Sequence, residues 1–379
     1  MEYRSMEKLG VSPSMLGFGC MRFPKTTDGA IDEKEAERML DRALEAGVTY
    51  IDTAYPYHNG DSEPFVGRVL KKYDRQSFYL ATKLPVWKAD TLEDAKQIFS
   101  EQLERLQTDY VDFYLLHALS RERWHRLLSL GILDYCEELK KQGKIKYLGF
   151  SFHDSYEVFE EILTYREWDF CQIQYNYMDT EHQAGDRGYA LAQKLGVPMV
   201  VMEPVKGGSL AVLPEDIAAM YEEADADASV SSWALRWVGT HPNVKVILSG
   251  MSTYEQVEDN LKTFGSFKPL DKKEQELVAQ VADTIRSRMK NGCTGCRYCM
   301  PCPFGVDIPK NFALWNEEAM YGNFAARKEK YERELPEGAR ADRCRKCGAC
   351  ERECPQAIQI RKDLVRVAAD FAGSSPVMK

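Results

Sequence analysis

Up to about residue 265, short apolar runs alternate with segments whose apolar residues recur every three to four positions. Eight runs read as strands: 16–20, 49–53, 77–83, 111–117, 146–151, 170–175, 199–202 and 246–248. Most are continuously apolar, as parallel strands covered on both faces must be. Between them, Ala36, Met39, Leu40, Ala43 and Leu44 share one helical face, and Gly47 stops that helix before the second strand. The same periodicity covers 94–106, 131–141, 155–165, 186–195 and 253–264. Eight strand–helix units in about 250 residues fit an α/β (β/α)8 TIM barrel; a doubly wound open sheet is the alternative. Segments 3–9 and 12–16 flank Gly10 and read as a hairpin under the barrel.

After Pro269 the texture changes. Residues 271–290 read as one charged amphipathic helix and 308–333 as a second helical stretch, each leading into a run of cysteines. The tail from Ala368 is rich in small residues and is expected to be poorly ordered. The expected division is a barrel over 1–268 and a small, mostly α domain over 269–379.

Composition narrows the function. With 379 residues, 44% hydrophobic and 29% charged, the chain can fill two cores. A net charge of −9 argues against nucleic acid as a partner. No apolar run approaches a membrane span, and the charged first ten residues lack the apolar stretch of a secretory signal, so the expected location is cytoplasmic.

Eleven cysteines are present, and only Cys20, Cys136 and Cys171 precede residue 290. The others form two runs, Cys293, Cys296, Cys299, Cys302 and Cys344, Cys347, Cys350, Cys354. The second, followed by Pro355, matches the bacterial ferredoxin spacing C-x2-C-x2-C-x3-C-P; the first is one residue short before Cys302. Three thiolates two residues apart on a coiled loop can reach three corners of one cubane. Two zinc sites are the competing reading, although zinc ribbons separate paired C-x2-C units by a longer loop; disulfides fit a reducing compartment less well. On the pattern of two-cluster ferredoxins, which these runs resemble, each fourth cysteine serves the other [4Fe-4S] cluster. Cys293, Cys296, Cys299 and Cys354 then hold one cluster, and Cys344, Cys347, Cys350 and Cys302 the second.

A barrel enzyme places its chemistry at the C-terminal ends of its strands. Asp52 ends the second strand, Lys83 the third and His117 the fourth, with Tyr57 on the loop beyond Asp52. Singly, each has a plainer explanation: a helix cap, a solvated amine, a satisfied histidine, a packing ring. Together, with the strings Asp-Thr-Ala-x-x-Tyr and Leu-Leu-His around them, the four resemble the Asp-Tyr-Lys-His tetrad of the aldo/keto reductase family. The resemblance runs from Tyr3 to about Phe267, and the cysteine runs resemble the branch of that family with a C-terminal ferredoxin-like extension.

The resemblance implies hydride reduction of a small carbonyl compound, or oxidation of an alcohol. Tyr57 would supply the proton, Lys83 would lower the phenol's pKa, Asp52 would balance the lysine, and His117 would orient the carbonyl oxygen. It also implies NADP or NAD extended across the mouth. Gln172 would contact the carboxamide, Met202 would lie where an aromatic residue usually stacks on the nicotinamide, and Lys206, Gly207 and Gly208 would approach the phosphates. Asn260 would serve the adenine side. Gly250 and Gln256 occupy the places of the usual basic pair for a 2′-phosphate. That departure leaves open an alternative, an iron–sulfur reductase fed single electrons by a ferredoxin-like redox protein with no nicotinamide bound. A third reading is an electron carrier or docking protein with a decayed barrel. Tyr55, Trp87 and Trp124 are candidates for lining the mouth.

Overall fold

The computed structural model describes residues 1–373. Eight parallel strands, β1 (Leu16–Gly19), β2 (Tyr50–Asp52), β3 (Tyr79–Leu84), β4 (Val111–Leu119), β5 (Ile145–Phe152), β6 (Phe170–Gln174), β7 (Met199–Met202) and β8 (Val244–Ser249), close into a barrel in sequence order. The open-sheet alternative is excluded, because β1 pairs with both β2 and β8. Inside the ring, Tyr50, Phe113, Phe170, Val200 and Val246 pack into one apolar cluster with Met6. Phe113 is its hub, its ring centroid 5.0 Å from those of Tyr50 and Phe170. Met6 comes from the opening segment, whose antiparallel bridges Tyr3–Ser14 and Met6–Val11 form the expected hairpin. The outward strand faces pack on the helices, among them Glu33–Glu45, Leu92–Leu106, Ile132–Lys141 and Tyr156–Tyr165.

The chain forms two compact units. The first comprises 1–208 and 231–275, the second 209–230 and 276–379. The division is therefore not a single cut in sequence order. The second unit is built on helices Ile308–Tyr321, Phe324–Glu334 and Ile360–Ala372 around Phe312, Trp315, Tyr331, Leu364 and Phe371. The expected single stretch over 308–333 is two helices, broken where Gly322 and Asn323 take φ of 64° and 57°. The expectation for the tail is corrected as far as Ala372, which ends a helix; 374–379 lie outside the described residues. Among the described residues no helix is long and apolar enough to cross a membrane.

Candidate active site and cysteine cavities

Closing the barrel brings β2, β3 and β4 side by side, with Asp52 opposite Ala81 and Lys83 opposite Leu115. Lys83 is wholly buried. Its Nζ donates to Asp52 Oδ1 at 2.6 Å, to the Thr53 carbonyl at 2.8 Å and to Tyr57 Oη at 3.4 Å. The Tyr57 ring meets the His117 ring edge-on at 6.1 Å. All four residues expected at the mouth are thus gathered around one buried ammonium.

Burial sets the protonation states. It would drive the Lys83 ammonium down, but the Asp52 and Tyr57 oxygens outweigh it and hold the pKa above the ordinary lysine value. Lys83 acts on the Tyr57 phenol in the expected direction, downward, but burial outweighs it. The phenol's pKa therefore stands above 10, because a phenolate loses more hydration than one ammonium, already paired with Asp52, returns. Burial, with Lys83, His153 and Arg123 nearby, holds His117 well below 6.5, so the imidazole is neutral. The residue as a whole is half-buried, yet its Nδ1 is inaccessible and has no partner among the described residues.

The residues expected to meet a nucleotide are partly gathered. Gln172 on β6 donates to Met202 Sδ at 3.4 Å, while its Oε1 is buried and has no partner among the described residues. An orphaned buried amide oxygen is an acceptor that a ligand N–H would satisfy. Gly207 and Gly208 have φ of 62° and 97°, which glycine adopts without strain. Lys206, expected as a counter-charge, is instead committed to Asp179, with Nζ 2.6 Å from both carboxylate oxygens. Asn260 donates to Ser249 Oγ at 2.8 Å, and Gln256 Oε1 accepts from Ser252 N–H at 2.7 Å. At Gly250 a Cβ would stand 2.6 Å from Cγ of Arg22, so an arginine from the end of β1 occupies that space. Nothing in the sequence pattern marked Arg22; only barrel closure brings β1 beside β8.

Of the suggested mouth aromatics, Trp87 has its ring 5.0 Å from that of His117 and 4.5 Å from the guanidinium carbon of Arg123. Trp124 is buried against Tyr165 and Trp168. Tyr55 donates to Glu101 at 2.7 Å, under Arg105. Trp124 is therefore a core residue, and Tyr55 is held by Glu101 and Arg105.

In the second unit the cysteines line two cavities. One is bordered by Cys293, Cys296, Cys299 and Cys354, the other by Cys299, Cys302, Cys344, Cys347 and Cys350. Each draws on both runs. Among the described residues no three His, Cys, Asp or Glu side chains close on a single-ion point. Thiols spread around a cavity suit a multi-atom cationic group. With no cationic group between them the thiolates are disfavoured: burial and neighbouring cysteines push Cys293 and Cys299 up, and burial with Glu351 and Cys344 pushes Cys350 up to about 11.

The chain belongs to the aldo/keto reductase family, whose model matches residues 15–283; a 4Fe-4S dicluster domain matches 292–358. It is 33% identical over 205 residues to the aldo-keto reductase YhdN of Bacillus subtilis, a match covering 52% of this chain and 60% of that protein. It is 26% identical over 268 residues to the NADH-specific methylglyoxal reductase of Escherichia coli, covering 59% and 81%. The holo structure of aldo-keto reductase AKR11C1 from Bacillus halodurans superposes with a TM-score of 0.63 at 30% identity, covering 74% of this chain and 96% of that one.

Proposed function

We propose that this protein reduces a small carbonyl compound, or oxidises the corresponding alcohol, with NAD(P)H at the barrel mouth, and that its eight clustered cysteines hold two [4Fe-4S] clusters. The observation that carries the first half is the Lys83 ammonium, within hydrogen-bond reach of both Asp52 and Tyr57 beside a neutral His117. When bound, the nicotinamide supplies a hydride, and the clusters supply single-electron transfer. The residues do the rest. Neutral His117 has one N–H to donate, and a carbonyl oxygen accepting from it lies beside the Tyr57 hydroxyl. As negative charge grows on that oxygen, Tyr57 gives up its proton, and the nearby Lys83 stabilises the phenolate that remains. Asp52 holds Lys83 charged. Gln172 Oε1 is the acceptor for the carboxamide, and Arg22 beside Gly250 is a cation for the nucleotide's phosphates.

For the clusters, Cys293, Cys296, Cys299 and Cys354 are assigned to one and Cys302, Cys344, Cys347 and Cys350 to the other, following the cavity linings. The commitment of Lys206 to Asp179 favours a second reading, electrons delivered singly by a redox protein with no nicotinamide bound. One experiment separates the two. Anaerobically purified protein is titrated with NADH and NADPH, and aldehyde reduction is assayed in wild type and Tyr57→Phe. The nicotinamide reading expects turnover with one nucleotide and its loss, by about 10²-fold or more, in the variant with iron content unchanged. Turnover with dithionite alone, and none with either nucleotide, supports the second.

A further inference from the structure

Beyond His117, β4 turns into the helix Arg121–Ser129 through Ala118, whose φ is 52°, and the cap Ser120, whose side chain accepts from Arg123 N–H. Three arginines sit on that helix. Arg121 pairs with Glu161 at 2.8 Å and Arg126 pairs with Asp90. Arg123 differs. Its Nη1 donates to the Ala118 carbonyl at 2.7 Å and its Cζ lies 4.5 Å from the centre of the Trp87 ring, but no carboxylate stands within ion-pair distance among the described residues. A guanidinium carries five N–H donors, so most of this one's are uncommitted. It is half-buried, two ring contacts from the tetrad: Arg123 on Trp87, Trp87 on His117 at 5.0 Å. Its charge reaches the mouth, being among the influences that keep both His117 and His153 neutral.

We propose that Arg123 anchors an anionic group on the substrate, so that the reaction runs on carbonyl compounds carrying a carboxylate or phosphate a few bonds from the reacting carbon. The proposal rests on the reductase reading and names its substrate class. Trp87 touches both ends, its ring 5.0 Å from that of His117 and 4.5 Å from the Arg123 guanidinium carbon, so a substrate whose carbonyl oxygen accepts from His117 would carry its anionic group along this ring. The planar fork of a guanidinium matches carboxylate and phosphate oxygens in pairs, which a lysine at this place would not do. In the reaction a hydride adds to the carbonyl carbon, Tyr57 supplies the proton to oxygen, and the anionic group leaves unchanged.

A purely structural role, bracing Trp87 and Ala118, makes a different prediction. It would affect neutral and anionic substrates alike. The test uses the full-length holoprotein, wild type, Arg123→Gln and Arg123→Lys. Binding of benzaldehyde, 4-carboxybenzaldehyde and 4-formylphenyl phosphate is measured by calorimetry, and NAD(P)H-driven turnover is measured in parallel. Wild type should bind one of the anionic aldehydes about 10- to 100-fold more tightly than benzaldehyde, the span of a charged hydrogen-bond pair. The anionic probe preferred identifies the group. Arg123→Gln should erase that preference, weakening the anionic probe far more than benzaldehyde, and Arg123→Lys should restore only part of it. Equal affinity for all three probes, no detectable binding of any, or a preference that survives in Arg123→Gln each overturns the proposal. Failure of the parent reading looks different: turnover persists in Tyr57→Phe, whatever calorimetry shows for Arg123.

Discussion

At the scale of single residues, the site depends on one buried lysine. Lys83 is fully inaccessible and its charge is matched by Asp52, also buried, whose Oδ2 has no further partner among the described residues. Removing one member of such a pair strands the other, at a cost of about 3–5 kcal/mol. Lys83→Met should therefore lose that much stability in urea unfolding, and Asp52→Asn added to it should recover a large part. The same variant tests the protonation argument. Burial raises the Tyr57 phenol and Lys83 opposes the rise, so the residue stays a proton donor past about pH 10. Carbonyl reduction, which needs the phenol, should hold its rate to that pH; alcohol oxidation, which needs the phenolate, should climb throughout. Residual reduction in Lys83→Met should show its alkaline limb moved higher, and a limb moved lower would contradict the assignment. Which side chains gather here was legible, because three consecutive strand ends must meet in a barrel. The protonation balance was not. It depends on how completely each group is dried, and no spacing reports that. Nor did the sequence separate a free cation from a spent one: Lys206 reads as a counter-charge until Asp179 is found on it, whereas Arg22 and Arg123 carry no mark at all.

At the scale of elements, the strands read well because a parallel strand must be apolar on both faces, and a barrel repeats that demand eight times. β7 has the expected bounds and β3 to β6 differ by a residue or two. Several helices escaped. The segment Ser62–Leu70 contains Pro64 and Gly67, which look like breakers. Pro64 sits in the first turn, where its missing N–H has no helical acceptor to lose. Gly67 is there because helix Leu92–Leu106 crosses it so closely that a Cβ would stand 2.8 Å from Cα of Leu106. Two effects then compete in Gly67→Ala. Alanine is worth about 0.5–1 kcal/mol over glycine inside a helix, but overpacking against backbone, which cannot swing aside, costs about 1–3 kcal/mol. The steric term wins, and the variant should be destabilised by about 1–2 kcal/mol on balance, read as a lower urea midpoint with an unchanged slope. A gain in stability would mean the two helices can separate without loss. The break at Gly322 is the converse case. Its apolar periodicity continues through the turn, so pattern alone joins two helices that the backbone angles separate.

At the scale of the molecule, the cysteines connect positions far apart in the chain. Each cavity of the second unit takes cysteines from both runs, so clusters bound as proposed would join residues 293–302 and 344–354 twice, across helices Ile308–Tyr321 and Phe324–Glu334. A cross-link closing a loop of roughly fifty residues removes about 4 kcal/mol of chain entropy from the unfolded state, by the argument applied to disulfides. Cluster assembly and the folding of this unit should therefore be one process: stripping the iron anaerobically should collapse hydrogen-exchange protection in Ile308–Tyr321 and Ile360–Ala372 together. The crossed arrangement has a sharper consequence. If ligands were grouped by run, Cys293→Ser and Cys354→Ser would damage different clusters, and the double variant would lose both. With the cavity linings as they are, the two residues serve the same group. Each single variant should lose half the iron and sulfide, and the double variant should lose no more than either, a failure of additivity diagnostic of a shared unit. Cys293→Ser with Cys302→Ser, two residues of one run, should empty both sites. Iron and acid-labile sulfide analysis of these four proteins decides it, and full loss in the Cys293, Cys354 pair would reassign the ligands run by run.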